Sequence, residues 1–105
     1  MNEIELYLGM TSAQASERMV RRARSYVELE TPSGAAAEIA TLGAHIRSDL
    51  EACGATVQLT AAPGLGVNLH ARVPGADPQL APVVVLTHMD TVHPIGTIAA
   101  RPFRL

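Results

Sequence analysis

The run Val83-Val84-Val85-Leu86-Thr87-His88-Met89-Asp90-Thr91-Val92 constrains this chain more than any other stretch. Four consecutive aliphatic residues, three of them β-branched, read as a strand buried on both faces, the pattern of a central strand in an α/β sheet. The run ends by delivering an imidazole and a carboxylate two residues apart. Side chains alternate across a strand, so His88 and Asp90 share one side if the strand continues, and a small turn can also bring them together. A metal-ligating histidine presents one ring nitrogen to the ion and donates its other N–H to a carboxylate, which fixes the tautomer. His88 is therefore the candidate ligand and Asp90 the carboxylate that orients it. Ligands of open α/β sheets bind beyond the carboxyl ends of the strands, where both residues fall.

Upstream, the pattern predicts two helices and a hairpin. Thr11 and Gln14 form a capping-box signature that opens a helix running to about Leu29, with Met19, Ala23, Tyr26 and Val27 as its apolar stripe. Arg18, Arg21, Arg22 and Arg24 are interspersed with Glu17 and Glu28 and read as a solvated face. A second helix is expected after Thr31-Pro32, with Thr31 as cap and Pro32 in the first turn. Its inner face would carry Ile39, Gly43, Ile46, Leu50 and Cys53, and Gly54 would end it in the left-handed conformation. His45 lies off that stripe and is read as a surface residue. Thr56 to Thr60 and Val67 to Val73 alternate as an antiparallel pair, and Pro74 to Pro78 forms a loop before the central strand. Gly64-x-Gly66 lacks the third glycine and the following helix of a dinucleotide fingerprint. His70, on the second strand, is expected to be partly exposed.

Composition narrows the class further. At 105 residues the chain forms one modest core at most, since domains of this size bury only about two-thirds of their unfolded surface. Ten acidic residues against eight arginines and no lysine give a net charge of −2, which offers no nucleic-acid footprint. Cys53 is alone, so neither a disulfide framework nor a cysteine zinc site is available, and it is read as a small buried hydrophobe. No basic n-region precedes an apolar stretch at the N-terminus, and no apolar run approaches the ~20 residues of a membrane helix. The expectation is a cytoplasmic protein with no membrane partner.

With these residues in view, the chain resembles the N-terminal region of the M20 metallopeptidases, in particular the glutamate carboxypeptidase branch. The resemblance rests on His88-Met89-Asp90-Thr91-Val92 after a hydrophobic strand, then Gly96 and Arg101-Pro102-Phe103-Arg104-Leu105. Thr31-Pro32-Ser33-Gly34, Ala52-Cys53-Gly54-Ala55 and Gly66-Val67-Asn68-Leu69 follow the family order upstream. It implies the N-terminal part of a zinc-peptidase-like three-layer α/β fold, residues 1–105 supplying two helices and a mixed sheet, an antiparallel pair plus the central strand. It also implies that His88 is the first zinc ligand and Asp90 the active-site carboxylate that clamps it. The family's bridging aspartate, glutamate pair, further carboxylate ligand, late histidine and lid or dimerisation domain would all lie beyond Leu105. His93 would sit in a loop beside the substrate cleft, although a loop histidine without a role is the simpler reading.

Two functional expectations follow. The first is a zinc-dependent hydrolase that removes a C-terminal residue, glutamate being the candidate, from a peptide or N-acyl amino acid, with two Zn²⁺ ions and a homodimer in the complete protein and no activity in this segment alone. The second is a non-catalytic binding or assembly module, or a remnant of a split gene.

Overall fold

A computed structural model describes all residues from Met1 to Leu105. Four helices and one hairpin make a small α/β arrangement: α1 (Glu3–Leu8), α2 (Ser12–Val27), α3 (Ala36–Ala52), β1 (Thr56–Ala62), β2 (Gly66–Arg72) and α4 (Thr97–Ala100). The order begins with a helix absent from the sequence expectation. Asn2 accepts from Glu5 N and Glu5 reaches back to Asn2 N, a capping box that nucleates α1, and Gly9 at φ 65° stops it. Glu5 also accepts from the amide and hydroxyl of Ser12, at 2.6 and 2.7 Å, and so ties α1 to the start of α2.

The α2 cap is as expected: Thr11 Oγ1 accepts from Gln14 N and Gln14 Oε1 accepts from Thr11 N. The helix ends at Val27 rather than near Leu29. Its expected apolar stripe is not a core face, because Met19 and Val27 are exposed. Polar contacts tether α2 to α3 instead. Tyr26 donates its hydroxyl to Asp49 Oδ2 at 2.7 Å, and Ser25 Oγ and His45 Nε2 lie 3.3 Å apart. His45 is thus half-buried, edge-on to the Tyr26 ring at 5.2 Å, and not a plain surface residue. The arginines of α2 behave as a solvated face, with Arg21 against Glu17 and Arg24 against Glu28.

The hairpin pairs Thr56 with Arg72 through to Ala62 with Gly66, so Leu59 faces Leu69 and Val57 faces Ala71. A two-stranded hairpin is marginal alone and gains stability when a helix covers one face. Here α3 is that helix, and Ile39, Leu42, Ala55 and Val57 form the buried core. Close approach depends on Gly43, where an added Cβ would meet Val67 Cγ2 at 2.7 Å. Gly66 is needed twice over: its φ is 111°, and an added Cβ would lie 2.7 Å from Ile39 Cγ2. Gly54 follows α3 at φ 88°, the expected left-handed stop. Cys53 beside it is exposed, which corrects its reading as a buried hydrophobe.

Two further expectations are corrected. Thr31 does not cap α3: the helix starts at Ala36 with Ala35 as an unassisted cap, and Thr31 lies upstream with its side chain turned to other work. Nor does the run Val83 to Leu86 enter the sheet, which contains β1 and β2 alone. These four residues are 73 to 91% exposed. Burial on both faces requires neighbouring strands along both edges and layers above and below, and no strand of this chain pairs with the run. No helix is long and apolar enough to cross a membrane.

Candidate functional site

Although the run before it is unpaired, the segment His88-Met89-Asp90-Thr91 is tied in place, and residues 30 to 33 are what place it. Thr31, the most buried residue at 1% exposure, donates its hydroxyl to the Met89 carbonyl at 2.7 Å. Its own carbonyl accepts from Thr91 N at 2.7 Å, and Ser33 N donates to Thr91 O at 3.1 Å, a short parallel bridge between Pro32 and Thr91. Further along, the Glu30 carboxylate accepts from Gly96 N and Ile98 N, both at 2.8 Å, and fixes the entry to α4. Those two amides hold the Glu30 carboxyl below its ordinary pKa.

Within this frame the two expected site residues meet. His88 Nδ1 lies 3.1 Å from Asp90 Oδ1 and 2.9 Å from the Asp90 carbonyl. Both neighbours are acceptors, so Nδ1 carries a proton, and in the neutral ring Nε2 is the bare lone pair. The ring is 80% exposed and Nε2 is open to an incoming ligand. The two side chains meet at the i, i+2 spacing, in a segment that pairs with no strand before Thr91 bridges to Pro32. The other Asp90 oxygen, Oδ2, accepts from the Ser33 hydroxyl in a short hydrogen bond. Ser33, and secondarily His88, hold the Asp90 carboxyl below the usual carboxylate range, which keeps it ionised near neutrality.

The pair borders an open cleft of about 450 Å³ between α3, β2 and the His88 segment, whose walls include Ile46, Val67, Leu69 and Asn68. An apolar wall with few polar groups at one rim is the usual form of a small-molecule site. His93 is exposed in the bend after the site, and His70 is exposed on β2. No three side chains of His, Cys, Asp or Glu converge as a metal site. A catalytic zinc normally takes three protein ligands, so His88 with its clamp fits one position of such a site and not the whole.

The chain is 30% identical over 89 residues to carboxypeptidase G2 of Pseudomonas sp. (strain RS-16). That stretch is 83% of this chain and 21% of the other, so the chain spans about a fifth of the length of the curated relative it matches. The similarity indicates a peptidase-type relationship. No protein-family model matches the chain, and no solved structure matches it.

Three residues that organise the site carried no functional weight in the sequence: Glu30, Thr31 and Ser33. The signal available was the spacing of two hydroxyls and a proline, Thr31-Pro32-Ser33, just before a helix. Such a segment reads locally as a cap, and its true partners lie 57 to 68 residues away.

Proposed function

We propose that this chain is the metal-binding N-terminal portion of a zinc-dependent hydrolase of the M20 peptidase type, cleaving a C-terminal residue, with glutamate the first candidate, from a peptide or N-acyl amino acid. The observation that carries the reading is the His88–Asp90 pair, with Nδ1 engaged and His88 lining the cleft. Similarity to a carboxypeptidase supports the same reading. In it, His88 Nε2 ligates zinc and Asp90 fixes the tautomer and raises the basicity of the ring. Zinc, when bound, would supply Lewis acidity and a water activated at neutral pH. The apolar cleft wall holds substrate against that edge. The other metal ligands and the general base come from further polypeptide, so residues 1–105 alone have no peptidase activity. The proposed protein is cytoplasmic and, when complete, a homodimer.

The test is metal removal from the complete polypeptide that carries this segment. Chelation should abolish release of glutamate from an N-acyl glutamate, and added Zn²⁺ should restore it. Hydrolysis indifferent to chelation would refute the proposal.

A second reading has one observation in its favour. Val83 to Leu86 is an exposed apolar run without backbone hydrogen bonds to any strand, and such segments invite pairing with another chain. A non-catalytic assembly module would use that run. Sedimentation of the chain as it stands decides: a discrete, saturable oligomer lost in Val84→Lys supports the module, and a monomer at all concentrations removes it.

A further inference from the structure

The Asp90 carboxylate is held from both sides. Oδ1 faces His88 Nδ1 and Oδ2 receives the Ser33 hydroxyl, while the backbone on either side of Asp90 is tied to Thr31 through the Met89 carbonyl and the Thr91 amide. A carboxylate on an irregular segment otherwise samples several rotamers about χ1 and χ2, and its contact with an imidazole two residues away would be only one of them. The Ser33 bond removes that freedom, because occupying Oδ2 leaves Oδ1 alone to meet the ring. The Thr31 hydroxyl acts one step earlier. It fixes the peptide that follows Met89 and therefore the place from which the Asp90 side chain departs. The backbone carbonyl of Asp90, the second acceptor for Nδ1, is set by the same bridge.

We infer that Ser33 and Thr31 are positioning residues for His88: acting through Asp90 and its flanking peptides, they hold the ring as the Nδ1–H tautomer with Nε2 directed outward. The inference rests on the hydrolase reading for its purpose, since an outward Nε2 lone pair serves a ligand. It does not depend on zinc for its test. Thr31 does not line the cleft and Ser33 does, and each acts on the ring through its hydrogen bond to the 89–91 segment.

The experiment is ¹⁵N NMR of the His88 ring in the metal-free 105-residue chain, at a pH where the ring is neutral, with backbone amide shifts of α3 and the hairpin reporting the fold. In the unmutated chain the two ring nitrogens should be widely separated in shift, with Nδ1 protonated. Ser33→Ala should bring them together as the ring becomes a mixture of tautomers, and Ser33→Thr, which keeps the hydroxyl, should restore the separation. Thr31→Val should act in the same direction. An Nε2–H ring in the unmutated chain overturns the inference whatever the variants do, as does a Ser33→Ala spectrum unchanged at His88 with the fold intact. Should Ser33→Ala disturb the fold, Ser33→Thr decides: a single Nδ1–H ring supports the inference, and a mixture overturns it. The two claims separate cleanly. A tautomer locked as described in a protein whose complete form takes up no zinc defeats the hydrolase reading alone, whereas zinc-dependent hydrolysis with a tautomer indifferent to Ser33 and Thr31 defeats the positioning role alone.

Discussion

Thr31 Oγ1 donates to the carbonyl of Met89 across 58 residues of chain, and this part-buried hydrogen bond joins the loop before α3 to the segment that carries His88 and Asp90. It explains why a segment with no sheet partners still has a defined end. The energetic consequence is asymmetric, since a carbonyl shielded from water and left unsatisfied costs more than the bond itself contributes.

Thr31→Val keeps the shape and removes the donor, leaving the Met89 carbonyl unpaired. The expected loss is about 1–3 kcal/mol of unfolding free energy, seen in urea titration as a lower midpoint with an unchanged slope. A midpoint within error of the unmutated chain would show that the bond is incidental.

Gly66→Ala is expected to destabilise by about 2 kcal/mol or more, combining a left-handed φ with overpacking against Ile39. The same urea titration reads it. A neutral result would mean that β2 can shift away from α3 at no cost.

Tyr26 has its pKa pushed up to about 12, first by burial and then by its hydrogen bond to Asp49. Because the folded value is raised, the fold holds the phenol proton more tightly. The associated stability is present below the ordinary value of about 10 and is lost as pH rises from there through about 12. In a Tyr7→Phe background, which leaves one tyrosine, phenolate absorbance should titrate about two units above a free phenol, and Asp49→Asn should lower the midpoint. A titration like that of a free phenol would contradict the α2–α3 contact.

Glu5, Glu30 and Asp90 all have carboxyl pKa values lowered by hydrogen bonds, from Ser12, from the Gly96 and Ile98 amides, and from Ser33 respectively. A depressed value means that the unfolded chain binds more protons in the window just below the ordinary carboxylate range. Stability from these groups is therefore present above roughly pH 4 and falls as pH drops below it. Glu30→Gln should flatten that acid limb of the stability profile. An acid limb of unchanged slope would remove Glu30 as a fixed cap of the 96–98 turn.

What the sequence disclosed depended on how local the signal was. The Thr11–Gln14 cap, the Gly54 stop and the antiparallel pairing of the hairpin are set by neighbours within a few residues, and each was legible. The Asn2–Glu5 cap was equally local, yet the α1 it opens was missed. The His88–Asp90 pair was legible because two residues suffice to define it. Thr31, Ser33 and Glu30 were not, since their partners are distant in the chain and a hydroxyl before a helix has a simpler local explanation. Val83 to Leu86 misled in another way: its composition reports an environment of neighbouring strands that the hairpin does not supply. Met19 and Val27 on α2 have the period of a buried stripe, but the polar Tyr26–Asp49 and Ser25–His45 contacts hold the helix where those two side chains stay exposed.

The central claim is that His88 is a zinc ligand of a hydrolase, and zinc content measured together with hydrolysis tests it most directly. In the complete polypeptide carrying this segment, His88→Ala should lower bound zinc per chain and abolish release of C-terminal glutamate, while Asp90→Asn should weaken both less severely. Zinc content and turnover unchanged in His88→Ala would contradict the account.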